Sequence, residues 1–317
     1  MNDEQIPSLL DPEYKHILLS VFKEFLRLCE KYNLSYFLTA GSLLGAVRHK
    51  GMIPWDDDID VAMPREDYEK FINISRSEFN IDYRLATYLN TNNYYHSCTK
   101  LIYSNSTIIE RIGPYLCFDG VFIDIFPIDG FPSTLKDSKR HWRKINKRLN
   151  QYILACHTSL SECNTFSDLI KSLFYRKCLG YKKILKKWDK VCSSYLLHNS
   201  EFACVSYSDY WEREIFPSDM YKRFKVLEFE GFDVRVPFYY DRYLSTIYGD
   251  YMKFPPVEKR VLPHAPIIFE LHDNLKVEDI SSLIDEYNKK NNFINVFVTI
   301  TKRSIKSLIN KIFSCSL

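Results

Sequence analysis

A chain of 317 residues with 46% hydrophobic and 26% charged residues has the make-up of a globular protein with a substantial core. Its net charge of +3 is too small to mark it as a nucleic-acid binder. The nine scattered cysteines form no C-x-x-C and no zinc-type spacing, the start of the chain around Asp3 and Glu4 lacks the apolar run of a signal peptide, and no stretch of about 20 apolar residues could span a bilayer, so a reduced, cytoplasmic protein is expected.

Asp11-Pro12 opens a helix, with Asp as N-cap and Pro in the first turn. Ile17, Leu18, Val21, Phe22, Phe25 and Leu28 fall on one face, and Asn33 is its expected end. Residues 34–40 read as a strand, broken by Gly41-Ser42, and 42–48 as a short helix. Gly51 and Pro54 make a loop. Residues 59–63 read as a second strand, stopped by Pro64, with a helix from about Asp67. Further strands are expected over 83–88, 95–102, 107–110 and 118–126. From about 134 to 200 the chain turns helical, and between Lys136 and Lys190 basic residues far outnumber acidic ones. That excess is a solvated face, or a surface for an anionic acceptor or a membrane. Residues 226–236 read as a hairpin turning at Glu230-Gly231, and 240–248 as a helix.

The order of elements is α/β (α+β), a mixed sheet with flanking helices. It divides into a catalytic core over 1–132, a basic helical insert over 133–200, a part completing the cleft over 201–275 and a basic amphipathic tail over 276–317. In the tail, Ile305, Leu308, Ile309, Ile312 and Phe313 share a helical face ringed by Lys302, Arg303, Lys306 and Lys311. A helix lying on a membrane and a helix packed on the body both satisfy that pattern.

The chemistry concentrates in Trp55-Asp56-Asp57-Asp58-Ile59-Asp60-Val61. On a strand, residues two apart face the same way, so Asp58 and Asp60 project together while Ile59 and Val61 enter the core. Asp56 joins them if the strand extends that far. Carboxylates this close repel unless a cation lies between them, and hard oxygen ligands suit Mg²⁺ or Mn²⁺. A calcium loop is excluded, because Val61 stands where that loop needs Gly and Asp67 where it needs a bidentate Glu. A third ligand is expected at Asp124, set in the apolar run Val121 to Phe126, where an isolated carboxylate would be costly. It is also a candidate to accept the proton of an attacking hydroxyl. A strand-end cap is the structural alternative, and Asp119 and Asp129 are weaker candidates. Gly41-Ser42 permits close backbone approach and presents helix N–H groups to a phosphate.

Leu38 to His49 (LTAGSLLGAVRH), followed by Ile53 to Val61 (IPWDDDIDV), closely resembles the LicD family. That family includes bacterial phosphocholine transferases, with the fukutin-related proteins more distant. The segments FIDIFPID from Phe122 and YGDYM from Tyr248 look like motifs of the same family, as does Pro255-Pro256 followed by His264. The resemblance spans roughly residues 12 to 265 and leaves the helical insert undiagnosed. It implies a nucleotidyltransferase fold, a CDP-alcohol donor and a glycan or glycolipid acceptor. By that analogy Asp58, Asp60 and Asp124 hold metal, and Gly41 and Ser42 contact the donor phosphates. Arg48 and Lys100 are phosphate partners, with a surface role open for Lys100. His264 is a candidate substrate contact or a structural histidine. Contact with a membrane surface would suit a lipid-linked acceptor. Three rival readings compete with this one. A metal-dependent glycosyltransferase would need a longer nucleotide-binding segment before its Asp-x-Asp. A nucleotidyltransferase releasing pyrophosphate would use the same fold, and a silent binding protein would have no need of all three carboxylates.

Overall fold

The computed structural model describes residues 10–272 apart from 160, 161, 209, 211, 212, 265 and 267. The expected amphipathic tail lies outside these residues. Helix α1, Pro12–Lys31, starts where the Asp11 carboxylate accepts the N–H groups of Glu13 and Tyr14. It buries Tyr14, Leu18, Val21, Phe22, Phe25 and Leu28, each worth roughly 1.5–3 kcal/mol of burial. Asn33, at φ 49, turns the chain after the helix has ended.

β1 is only Phe37–Leu38, shorter than the expected strand. Ala40 adopts φ 46 and the chain passes at once into α2, Ala40–His49. Next come β2, Asp60–Pro64, α3, Arg65–Glu78, β3, Tyr83–Ala86, and β4, Thr99–Tyr103. Residues 95–98, expected as strand, are not: Tyr95 leaves the sheet to stack on Tyr115, with ring centroids 3.9 Å apart. The single strand expected over 118–126 is two, β6 (Tyr115–Asp119) and β7 (Phe122–Phe131); β5, Thr107–Ile112, pairs with β6. The break falls at Gly120, where a Cβ would lie 2.5 Å from the Tyr103 carbonyl oxygen. Only glycine lets the backbone cross there.

The insert forms α4, Leu135–Tyr152, α5, Phe166–Phe174, and α6, Tyr181–Cys192, with π turns at Ile153–His157 and Tyr175–Leu179. β8, Phe202–Val205, and β9, Phe216–Pro217, follow, then the hairpin β10, Phe224–Phe229, and β11, Phe232–Pro237. Its turn is Glu230-Gly231, both at positive φ (52 and 78), as a tight hairpin requires. Helix α7, Tyr240–Tyr248, and β12, Ile268–Glu270, close the described chain. Among the described residues no helix is long and apolar enough to cross a membrane.

The main sheet runs β1-β2-β7-β4-β3, with β8 also on β7 and β9 on β8. Among the described strands only β2 and β7 pair in parallel. β7 is the hub: its first half pairs with β2 and β4, its second with β8. Alternation splits the core. Leu101, Ile123 and Ile125 lie in the core cluster of α1 and α2, whereas Ile102 and Phe122 lie in that of Ile145, Ile184 and Trp188 of the insert. Asp124 has the parity of Phe122, so it faces the insert's side of the sheet.

Candidate active site

Register places the site. In the parallel pair β2–β7 Asp60 stands opposite Asp124, and in the antiparallel pair β4–β7 Lys100 stands opposite Asp124. Asp58 precedes β2 by one turn of the alternation. Carboxylate oxygens of Asp58, Asp60 and Asp124 come within 4.8 Å of one another. Burial and then the charge of Asp56 push the Asp58 carboxyl well above its ordinary range, and burial and then Asp58 do the same for Asp60. Asp56 is pushed up to about 6 by burial and by Asp57. Three converging carboxylates, two of them pushed up by burial and mutual repulsion, fit a hard divalent cation.

The helix start fixes this cluster. Ser42, 3% exposed, accepts the Asp60 N–H on its hydroxyl at 2.8 Å. It therefore holds the backbone of β2 in place. A Cβ on Gly41 would lie 2.6 Å from Asp56 Oδ2, so glycine lets that carboxylate pack against α2. Thr39 at the N-cap shares a 2.7 Å hydrogen bond with the Tyr243 hydroxyl, which donates to the buried Glu214.

Lys100 is not at the surface. It is 2% exposed, with Nζ 3.6 Å from Asp124 Oδ1, 3.9 Å from Glu110 and 2.9 Å above the Phe122 ring. Burial opposes its charge, but Asp124, Asp119 and Glu110 outweigh burial and hold its pKa above the ordinary lysine value. Lys100 thus supplies one positive charge from behind Asp124. Cys98 donates its thiol to the same carboxylate at 3.4 Å.

Asp57, of opposite parity to Asp56 and Asp58, is 6% exposed and turns away to meet His264, whose Nδ1 lies at 2.7 Å and backbone N–H at 3.2 Å. Tyr14 of α1 donates to the Asp57 carbonyl at 2.9 Å. Burial opposes protonation of His264, yet the Asp57 hydrogen bond and the Asp58 charge raise its pKa to about 9. The raised value favours the imidazolium form of His264.

Two cavities meet at this centre, sharing Ala40, Asp58, Asp60, Tyr210 and His264 as their common wall. The first, about 620 Å³, is reached by Gly41, Arg48, Trp55, Asp56, Tyr248 and Lys253. Arg48 donates to the Tyr251 carbonyl at 2.7 Å and lies 4.8 Å from the Phe254 ring centroid. Arg260 sits 5.2 Å from the Trp55 ring. The second cavity, about 730 Å³, also takes in Asp124 and runs between the sheet and the insert, along Phe126, Tyr152, Trp188 and Tyr207.

Of the residues singled out from sequence, Asp56, Asp58, Asp60, Asp124, Gly41, Arg48 and His264 line one or both cavities, while Ser42 and Lys100 stand behind the wall. Asp119 is engaged by His96 at 2.8 Å and Asp129 by Arg65 at 2.6 Å. Sequence reasoning missed Asp57, Cys98, Lys253 and Trp188. The odd parity of Asp57 was a usable signal. Nothing local marks the other three.

Residues 33–149 match the family model described as the LicD/FKTN/FKRP nucleotidyltransferase domain. Over 265 residues the chain is 30% identical to a lipopolysaccharide cholinephosphotransferase, LicD, of Haemophilus influenzae, covering 80% of this chain and 94% of that protein. Shorter stretches match two uncharacterized proteins. One, of Rickettsia typhi, is 36% identical over 86 residues (27% of this chain, 28% of that one). The other, of Rickettsia prowazekii, is 40% identical over 68 residues (21% and 26%).

Proposed function

The chain belongs to the LicD family, and on that premise we propose that it transfers a phospho-alcohol, such as phosphocholine, from a CDP-linked donor to a hydroxyl of a cell-surface glycan, releasing CMP. The observation that carries this reading is the meeting of two cavities at one carboxylate triad, since a transfer needs donor and acceptor on either side of one reacting phosphorus.

The first cavity suits the donor. Its Arg48 and Lys253 offer positive charge to a diphosphate, Gly41 allows close approach at the start of α2, and the Trp55 and Tyr248 rings offer faces to a base. His264 stands in the shared wall, where its positive charge can stabilise phosphate oxygens as negative charge shifts to the leaving group. Asp57 holds that ring in place through Nδ1 and leaves Nε2 for substrate. Mg²⁺ or Mn²⁺ held by Asp58, Asp60 and Asp124 would neutralise the diphosphate and favour departure of CMP.

The acceptor hydroxyl attacks the distal phosphorus, the one bearing the alcohol. A new O–P bond forms, the bond to CMP breaks, and the hydroxyl proton passes to Asp124 at the edge of the second cavity. Lys100, behind Asp124, keeps that carboxylate oriented.

The test is incubation of the full chain with Mg²⁺, a panel of CDP-alcohols and a glycan acceptor, read by phosphorus NMR. CMP is expected to appear in step with phospho-alcohol on the glycan. A cytidylylated acceptor, or pyrophosphate formed from a nucleoside triphosphate, would place the protein in the nucleotide-moving branch of the fold instead.

A further inference from the structure

The helical insert carries positive charge that the carboxylate centre does not use. Helix α4 exposes Lys136, Lys139, Arg140, Arg143, Lys144 and Lys147, and its sequence holds a single acid, Asp137. At the helical pitch these six cations cover one arc of roughly 140°. Among the described residues only Arg140 of the six has an ion-pair partner, Asp137 at 3.6 Å. Lys136 and Arg140, Lys139 and Arg143, Arg140 and Lys144, and Arg143 and Lys147 are like charges four residues apart. Each such pair weakens a helix, whereas a face that meets only water is commonly laced with both signs.

A second observation lies beside that arc. Leu135 and Trp142, two turns apart on one side of α4, are 71% and 38% exposed. With Phe131, Pro132, Phe202 and Ile215 they line a cavity of about 500 Å³, separate from the two that meet at the triad. Lys139 and Arg143 line it too, and none of its described lining residues is acidic. The combination selects the partner. A soluble polyanion answers the cations but has no use for an exposed leucine and an apolar cavity. An apolar peptide fills the cavity and leaves the cations unanswered. An anionic bilayer answers both, with phosphate headgroups for the arc and acyl chains for the cavity, and tryptophan favours the level where the two meet.

We propose that α4 and the adjoining cavity dock the protein on an anionic membrane surface, with the cationic arc on lipid phosphates and Leu135 and Trp142 entering the acyl boundary. Phe131 ends β7 and Asp124 sits near its start, about 23 Å away along an extended strand. The docking residues are therefore remote from the carboxylate centre. The proposal does not rest on the transferase reading, and it gives the basic excess of the insert a use.

The experiment sediments the full chain with vesicles of phosphatidylcholine alone, or of phosphatidylcholine and phosphatidylglycerol in equal parts. Binding is expected on the anionic vesicles, weakening as salt is added, and only slightly on the neutral ones. Each basic residue near such a surface contributes about fivefold in affinity. The triple variant Lys139→Gln, Arg143→Gln, Lys147→Gln should therefore bind about a hundredfold more weakly. Leu135→Ser with Trp142→Ser should bind roughly tenfold more weakly at unchanged charge. Brominated acyl chains should quench the tryptophan emission of the parent more than that of Trp142→Phe. The substituted side chains are all exposed, and thermal melting confirms that each variant is folded. Both multiple variants keep residues 276–317, so undiminished binding in both assigns the contact to another segment and overturns the proposal. Failure of the full chain to bind anionic vesicles does the same. Binding lost in the charge variant but undiminished in the Leu135 and Trp142 variant makes the face a polyanion site, and the membrane reading falls.

Discussion

Strand β7 carries two acidic side chains, Asp124 and Asp129, and the fold treats them in opposite ways. Asp129, 1% exposed, accepts the Arg65 Nε and Nη2 groups at 2.8 and 2.6 Å and the Ser206 hydroxyl at 2.7 Å. Arg65 also reaches Asp189 of α6 at 2.9 Å, tying α3, the sheet and the insert together. Each charge there has its partner. At the other end of the strand, Asp124 gathers with Asp58 and Asp60, and the one lysine behind it is shared with Glu110. A satisfied buried network holds a fold, whereas like charges gathered without enough counter-charge are retained for a ligand.

The largest test of that contrast is Asp58→Asn or Asp60→Asn. Activity should fall about a thousandfold or more, roughly 4 kcal/mol of lost transition-state stabilisation. Stability of the metal-free protein should hold or rise, because both carboxylates are raised in pKa by burial and repulsion and so weaken the fold when ionised. CMP release and thermal melting in EDTA read the two effects separately. A clear loss of stability in both variants would mean that the triad, like Asp129, is structural.

The converse change is Arg65→Met. It strands Asp129 and leaves Asp189 without that cation, and should cost about 3–5 kcal/mol in urea denaturation. Loss of activity should follow unfolding and not precede it. If the variant is as stable as the parent, the satisfied end of β7 contributes nothing net and the contrast collapses.

His264 sharpens the comparison at an intermediate scale. Its pKa is raised in the fold from about 6.5 to about 9. The pair with Asp57 therefore stabilises the metal-free protein fully below about pH 6.5, and that contribution is lost as pH rises through about 9. With solvent screening of the partly exposed ring taken into account, His264→Gln should lower stability at pH 6 by about 1–2 kcal/mol and flatten the pH dependence between these values. An unaltered slope in chemical denaturation across that range would show that the Asp57–His264 pair contributes nothing to the fold.

The smallest expected effect is that of Ser206→Ala. Asp129 keeps both arms of Arg65 and loses one hydroxyl donor, so about 1 kcal/mol of stability should go. Turnover should not change, since Ser206 touches neither cavity. A matching fall in turnover would show that the two ends of β7 are mechanically coupled.

Much of this was legible along the chain because it is short-range. The Asp11 cap, the apolar face of α1, the Glu230-Gly231 turn and the span of α7 follow from side-chain chemistry within a few residues. So does the shared direction of Asp58 and Asp60. The breaks were less legible. Gly120 ends a run of strand formers for the sake of a contact with Tyr103, and Ala40 takes a positive φ that no alanine advertises.

Sequence alone determined the mixed α/β character, the family resemblance and the acidic centre, because periodicity and motif spacing are properties of neighbours in the chain. Tertiary structure decided which residues meet. Parallel pairing of β2 with β7 sets Asp60 against Asp124, burial puts Lys100 behind the triad and not on the surface, and packing of the last described segment brings His264 to Asp57. The second cavity exists only because α4 and α6 pack across the same face of the sheet. Those pairings are selected by burying apolar surface on both sides of β7, a condition that no local stretch of sequence contains.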